Sequence, residues 1–382
     1  MKFQVNRDVF SEAVSFAVKL LPQRTTLPIL SGVLIDASED GLTLSSFDYE
    51  VSARTTIAAD VEEHGQVLVS GRLLADIASR LPNAPVNVTT DGSKIVVKCG
   101  SANFTLLSMP VEEYPTLPVV QGETGILPAD AFASAVAQVA VAASRDDVTP
   151  VITGVQLEVT ENSLSLVATD RYRVAIRGID WESKDATISE TVTALVPART
   201  LIEVGKTFGN SGTISVSINS NDDRELIAFT ADKKTVTSLL IKGNFPPVRR
   251  LFPESPDNYA VANTAELVEA VRRVSLVLER EAALRFTFSL DGVTLEAIGS
   301  EQAQASETID GHLNGTDTVV SLKPQFLLDG LGAVHSEFVR ISFTKTDNPN
   351  KPGPVLITSQ TSKDQAGADN YKYLLQPNLL LR

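Results

Sequence analysis

Two stretches decide the fold: Pro28-Ile-Leu-Ser-Gly-Val-Leu-Ile-Asp-Ala-Ser-Glu-Asp-Gly-Leu-Thr-Leu44 and Pro150-Val-Ile-Thr-Gly-Val-Gln-Leu-Glu-Val-Thr-Glu-Asn-Ser-Leu-Ser-Leu166. A shift of 122 residues lays Pro28 on Pro150, Gly32-Val33 on Gly154-Val155, and Leu42 and Leu44 on Leu164 and Leu166. Outward from there, Phe10, Ala13 and Val14 meet Phe132, Ala135 and Val136, and Asp48 meets Asp170. A repeat this long describes one domain per copy, not a solenoid.

A third copy is fainter. At a further shift of 135 residues, Leu267, Ala270 and Val271 fall on Phe132, Ala135 and Val136. Leu74, Leu201 and Leu327 sit at like points of three further helical segments, each preceded by a β-rich run. Domains are therefore expected at residues 1–120, 121–254 and 255–382. The proline-rich joins Glu113–Pro118 and Phe245–Pro253 are expected to run extended, because proline donates to no ladder and blocks a helix.

Each copy should hold two amphipathic helices among alternating strands, which makes an α+β fold. The helices are expected at 8–24, 71–81, 130–145, 198–208, 264–281 and 323–335. Asp48 and Asp170 suit turn or cap roles. Cys99, in Ile95-Val-Val-Lys-Cys99, reads as a small strand residue.

The chain of 382 residues carries a formal charge of −14, from 33 basic and 47 acidic residues. At 43% apolar and 21% charged it is ordinary globular material. A single cysteine excludes a disulfide framework and a cysteine-based metal site, and His64, His312 and His335 are too far apart for a local ligand motif. No cofactor is expected. The start MKFQVNRDVF lacks the apolar region of a signal peptide, and no apolar run is long enough to span a bilayer. A reducing, cytoplasmic setting follows. Phosphate loops, dinucleotide-binding glycines, nucleophile elbows and zinc-protease helices are all missing, so nothing points to an enzyme.

The acidity is uneven. The six helical segments hold 11 of the 33 basic residues but only 10 of the 47 acidic ones. That is compatible with ordinary solvated helix faces and with a phosphate-facing surface that reads no sequence.

Several stretches together carry a family resemblance: Arg24-Thr-Thr-Leu-Pro-Ile-Leu-Ser-Gly32, Ala168-Thr-Asp-Arg-Tyr-Arg-Val174, Gly243-Asn-Phe-Pro246 with Arg249-Arg250-Leu251, and Tyr373-Leu-Leu-Gln-Pro377. Over its whole length the chain resembles the bacterial sliding clamps, beta subunits of the replicative DNA polymerase III holoenzyme. Phe47-Asp-Tyr-Glu-Val51 and Val69-Ser-Gly-Arg-Leu-Leu74 resemble the actinobacterial branch. The resemblance implies a homodimeric ring of three like domains per subunit joined head to tail, helices inside and antiparallel sheets outside. The ring would encircle double-stranded DNA without sequence preference and tether polymerase, clamp loader and repair polymerases through short linear peptides. It implies no catalysis by the chain itself, a non-catalytic subunit of a nucleotidyltransferase, and no membrane partner. Twelve helices packed about 8–10 Å apart would enclose a hole roughly 24 Å across, enough for a duplex of about 20 Å. The competing reading is a repetitive β-rich scaffold for proteins alone.

By the same resemblance, Arg24, Arg72, Arg80, Arg199 and Lys206 are expected to face DNA. Ile152, Thr169, Arg171, Tyr172, Arg173, Val174, Pro246, Arg250 and Leu251 are expected to form a partner-peptide pocket, closed by Pro352, Val355, Gln376, Pro377 and Asn378. Phe104, Leu276 and Val277 are expected at the dimer interface; Phe104 also fits a monomer core, since it alternates with Leu106. The tail departs from the family pattern: Gln376 and Asn378 put amides where apolar residues are usual, and since burying an unpartnered amide is costly, this implies a wetter pocket or one that selects different peptides.

Overall fold

The computed structural model describes the chain except residues 23–24, 185–189, 222–223, 255, 299–302, 349–350, 368–369 and 381–382. Among the described residues, six α-helices stand where the periodicity puts them: α1 Arg7–Lys19, α2 Gly71–Ala78, α3 Ala129–Ala140, α4 Ala198–Phe208, α5 Thr264–Val274 and α6 Pro324–Ala333. Several end earlier than expected. α1 stops at the C-cap Leu20, two residues before Pro22, and α5 gives way to a 3-10 turn, Ser275–Val277. Asn6 and Asn263 cap α1 and α5, their side-chain oxygens accepting from Asp8 and Val9 N–H and from Glu266 N–H, donors that helix geometry leaves orphaned. Leu74, Leu201 and Leu327 are each at most 2% exposed, so the equivalence read from the sequence is an equivalence of core positions.

The chain divides into two compact units, residues 1–133, 181–187 and 203–240 in one, and 134–180, 188–202 and 241–382 in the other. The second copy is therefore shared between them. The first unit holds a five-stranded antiparallel sheet, in the order Asp60–Glu63, Lys2–Val5, Val86–Asp91, Lys94–Cys99, Ala102–Leu107. Its nine-stranded sheet runs Glu182–Ser183, Gly125–Pro128, Thr213–Asn221, Arg224–Ala231, Lys234–Leu239, Val51–Ile57, Gly41–Phe47, Gly32–Ser38, Gly65–Ser70. The second unit holds a ten-stranded sheet in which Arg173–Asp180 lies beside Tyr371–Leu375, and a four-stranded one in the order Gln304–Ile309, Gly292–Ile298, Leu284–Ser289, Thr318–Leu322.

Sheets thus cross the sequence joins. Lys234–Leu239 of the second copy pairs with Val51–Ile57 of the first, and Tyr371–Leu375 of the third pairs with Arg173–Asp180 of the second. Helices meet across the same joins. Lys19 on α1 donates to Thr207 on α4 at 3.3 Å, and Gln138 on α3 donates to the Ala333 carbonyl on α6 at 2.7 Å.

Local detail repeats as well. The turns Pro28–Ser31 and Pro150–Thr153 are both 3-10, closed by Ser31 Oγ to Pro28 O at 2.6 Å and Thr153 Oγ1 to Pro150 O at 2.7 Å. Gly41 and Gly292 open equivalent strands at φ 109° and 121°, where a Cβ would lie 2.3 Å from the carbonyl oxygens of Ile57 and Ile309, so only glycine fits. The joins depart from expectation in being partly coiled, with 3-10 turns at Val111–Glu113 and Val248–Leu251. Their aromatic residues are tucked in: Tyr114 donates to the Gly32 carbonyl at 3.5 Å, and Phe245 packs on a cluster that includes Val174, Val248 and Leu374. Cys99 is fully buried in its strand, its thiol against the carbonyls of Pro82 and Ala84.

Candidate docking cleft and basic helix residues

Asp170 begins the best-defined site. Its Oδ1 accepts from Tyr172 N at 3.0 Å and Arg173 N at 3.1 Å, a turn that puts Arg171 at φ 79°. The turn delivers Arg173 into the interior at 8% exposure. A buried guanidinium must be paired and hydrogen-bonded. Nε donates to Asp170 Oδ2 at 3.0 Å, and Nη1 donates to Asp329 Oδ2 and, at 3.2 Å, to Tyr373 Oη. Tyr373 Oη in turn donates to the Phe326 carbonyl at 2.6 Å. The guanidinium lies 4.4 Å from the Phe326 ring centre, and the Tyr172 ring stacks on the same ring at 6.0 Å. Burial alone would lower the pKa of Arg173, but Tyr373, Asp329 and Asp170 outweigh it and raise it. Burial pushes the Tyr373 hydroxyl well up, against the pull of Arg173.

Around this network lies a depression of about 1130 Å³, walled by Arg145, Thr149, Ile152, Arg171, Tyr172 and Phe326 among others. Of the residues expected from the sequence, Ile152, Arg171, Tyr172 and Arg173 line it directly. Others join through the backbone. Thr169 Oγ1 donates to the Arg173 carbonyl at 2.7 Å, Gln376 N donates to the Tyr172 carbonyl at 2.9 Å, and Leu375 opposes both Arg173 and Val355. Val174 packs with Val248, whose N–H bonds to the Pro246 carbonyl. Arg250 and Leu251 are exposed on that same 3-10 turn, whereas Arg249 is tied to Glu158.

The tail corrects one expectation. Gln376 is exposed rather than buried, and its side-chain amide donates to the Pro352 carbonyl at 3.2 Å. Asn378 is half-buried, with its backbone N–H on the Ser321 carbonyl at 2.8 Å, while Pro377 is buried. The sequence did not point to Phe326 or Asp329, and it gave Tyr373 only as part of the tail stretch that carries the resemblance. The first two share a face of α6 at i, i+3 spacing, which marks them as neighbours but not as partners of an arginine 156 residues away.

Arg72 and Arg199, on α2 and α4, are exposed. Arg80 is exposed but lies beyond the end of α2, so it is not a helix residue. Lys206, also on α4, is exposed and 3.3 Å from Glu203, which Lys19 also approaches at 3.4 Å. Arg24 lies outside the described residues.

Phe104, on the edge strand Ala102–Leu107, is 37% exposed, while Leu106, two residues further along the same strand face, is 5% exposed and in the core; Phe104 lies outside the buried core, against the monomer-core reading. Leu276 is 83% exposed on its 3-10 turn, and Val277 is intermediate. No helix of the described residues is long and apolar enough to cross a membrane.

An α+β repeat with two helices per copy and sheets running across the joins defines the clamp class. Models of the DNA polymerase III beta subunit match three consecutive spans: the N-terminal domain over residues 1–118, the central domain over 126–247 and the C-terminal domain over 249–364. The beta sliding clamp of Streptomyces coelicolor is 45% identical over 378 residues, 99% of each chain. That of Micrococcus luteus is 47% identical over 309 residues, 81% of this chain and 98% of the relative. Both sources are actinobacterial. The Bacillus subtilis sliding clamp superposes with a TM-score of 0.90 over all of both chains at 24% identity, a likeness of fold. The chain belongs to the DNA polymerase III beta subunit family.

Proposed function

We propose that the chain is a DNA sliding clamp for the replicative polymerase, working as a head-to-tail homodimer closed around duplex DNA and without catalysis of its own. The observation that carries the ring is the repeated strand junction. In each of the first two copies the third strand of the long sheet, Val51–Ile57 or Arg173–Asp180, accepts the last strand of the next copy. The third copy's equivalent, Gln304–Ile309, is a sheet edge, and so is Ala102–Leu107, the last strand of the first copy. Exposed sheet edges invite pairing with another chain. Carried over from Val236 opposite Ala53, the register sets Phe104 of one subunit opposite Ala305 of its partner. Leu276 and Val277 belong to the same interface. A chain with one such edge at each end either closes on itself or polymerises.

Arg72, Arg80, Arg199 and Lys206, with Arg24, face the DNA in this reading. Their attraction to phosphate is salt-dependent and blind to sequence, which suits a ring that holds by topology and must slide. The depression beside Tyr172 and the apolar cluster of Val174 and Val248 receive short linear peptides from polymerase, clamp loader and repair polymerases. Apolar anchors and neighbouring cations are the ordinary means of such recognition. The three sequence copies are the domains of the ring, at residues 1–120, 121–254 and 255–382, and its setting is the cytoplasm.

Two measurements test this. Mass in solution should be about twice 40.9 kDa. After loading, the protein should stay on circular DNA and leave when the circle is cut; retention on neither form would favour the protein-only scaffold.

A further inference from the structure

The charged groups around the depression differ in one respect. Asp170 and Asp329 are both held by Arg173. Glu281 is 3.0 Å from Lys323. Asp146 Oδ1 accepts from Val148 N at 3.0 Å, so it serves its own loop. Arg145 and Arg171 stand apart: both are exposed, and among the described residues neither forms an ion pair. The Arg171 guanidinium donates to the Thr149 hydroxyl at 2.6 Å, which holds it along the wall and leaves most of its five N–H donors free. Its backbone, at φ 79°, is fixed by the Asp170 turn.

We infer that Arg145 and Arg171 form a cationic subsite that selects a docking peptide with a carboxylate beside its apolar anchors. This deepens the cleft reading and rests on it. The guanidinium fork matches carboxylate geometry, and the wall's own carboxylates are engaged elsewhere. A chain of charge −14 repels acidic peptides in general, so a local cationic pair confines them to the cleft. Such pairs contribute more to specificity and encounter rate than to affinity.

The test uses the full chain and two labelled synthetic decapeptides, each with two leucines and a phenylalanine, differing only in two glutamates exchanged for glutamines. Fluorescence anisotropy at low salt should find the glutamate peptide binding about threefold to tenfold tighter, the range for two exposed charge pairs. The advantage should shrink as salt rises. In the Arg145→Gln, Arg171→Asn double variant, the glutamate peptide should lose its advantage, so that the two peptides bind alike. Asparagine tolerates the left-handed backbone at position 171. Equal binding of both peptides to the unaltered chain, or a preference that survives in the double variant, overturns the subsite while leaving the cleft. Binding of neither peptide overturns both.

Discussion

The turns Asp48-Tyr-Glu-Val51 and Asp170-Arg-Tyr-Arg173 have one backbone and two chemistries. In each, the aspartate Oδ1 accepts two N–H groups, from Glu50 and Val51 or from Tyr172 and Arg173. In each, the next residue has positive φ, 73° at Tyr49 and 79° at Arg171. In each, the following carbonyl receives an N–H from the partner copy's strand end: Leu239 to Glu50 at 2.8 Å, Gln376 to Tyr172 at 2.9 Å. Side chains then diverge. Phe47 and Tyr49 pack ring on ring at 5.5 Å in the first copy, where the second has Thr169 and Arg171. Val51 is replaced by Arg173 with its two carboxylates. The turn is the same in both because each aspartate side chain meets N–H groups of its own backbone turn, a contact that depends on that residue alone. The turn sets no requirement on the other side chains, and one of the two junctions carries a charged, open cleft.

The largest effect should come from Arg173→Met. It leaves Asp170 and Asp329 together without their cation, at a cost of about 3–5 kcal/mol. Denaturant unfolding that shows a loss below about 1 kcal/mol would mean that the network is solvated, contrary to its burial. Asp170→Ala removes both the turn acceptor and one partner of Arg173, and should lose about 2–4 kcal/mol. Asp48→Ala removes the turn acceptor alone, and about 1 kcal/mol is expected. Equal losses at the two aspartates would erase the contrast between the turns. At Tyr49, replacement by glycine relieves the left-handed backbone but gives up the Phe47 contact, so the midpoint should move by less than about 1 kcal/mol in either direction. Gln376→Met should be smallest. It breaks one exposed hydrogen bond, so stability should change by at most about 0.5 kcal/mol, and a greater loss would show the Pro352 contact to be structural.

Much of this was legible beforehand. The shift of 122 residues anticipated matching strands and matching aspartate turns, and the prolines it aligns, Pro28 and Pro150, each open a 3-10 turn, because these features depend on contacts within a few residues. The helix ends were less legible. The expected 264–281 helix breaks at Val274, where Ser275 Oγ turns back to the Val271 carbonyl. The amides of the tail were expected inside; Gln376 is outside because its strand ends at Leu375.

The sequence by itself determined the repeat, the six helices, the alternation of the strands and the absence of an intrachain disulfide. All of these follow from short-range periodicity and residue chemistry. Only the tertiary structure decided that Arg173 meets Asp329 and Tyr373, that Phe104 is left exposed at a sheet edge, and that strands pair across the joins. Those outcomes depend on residues brought together from far apart in the chain, and a local pattern carries no record of which distant partner a side chain or strand edge will meet.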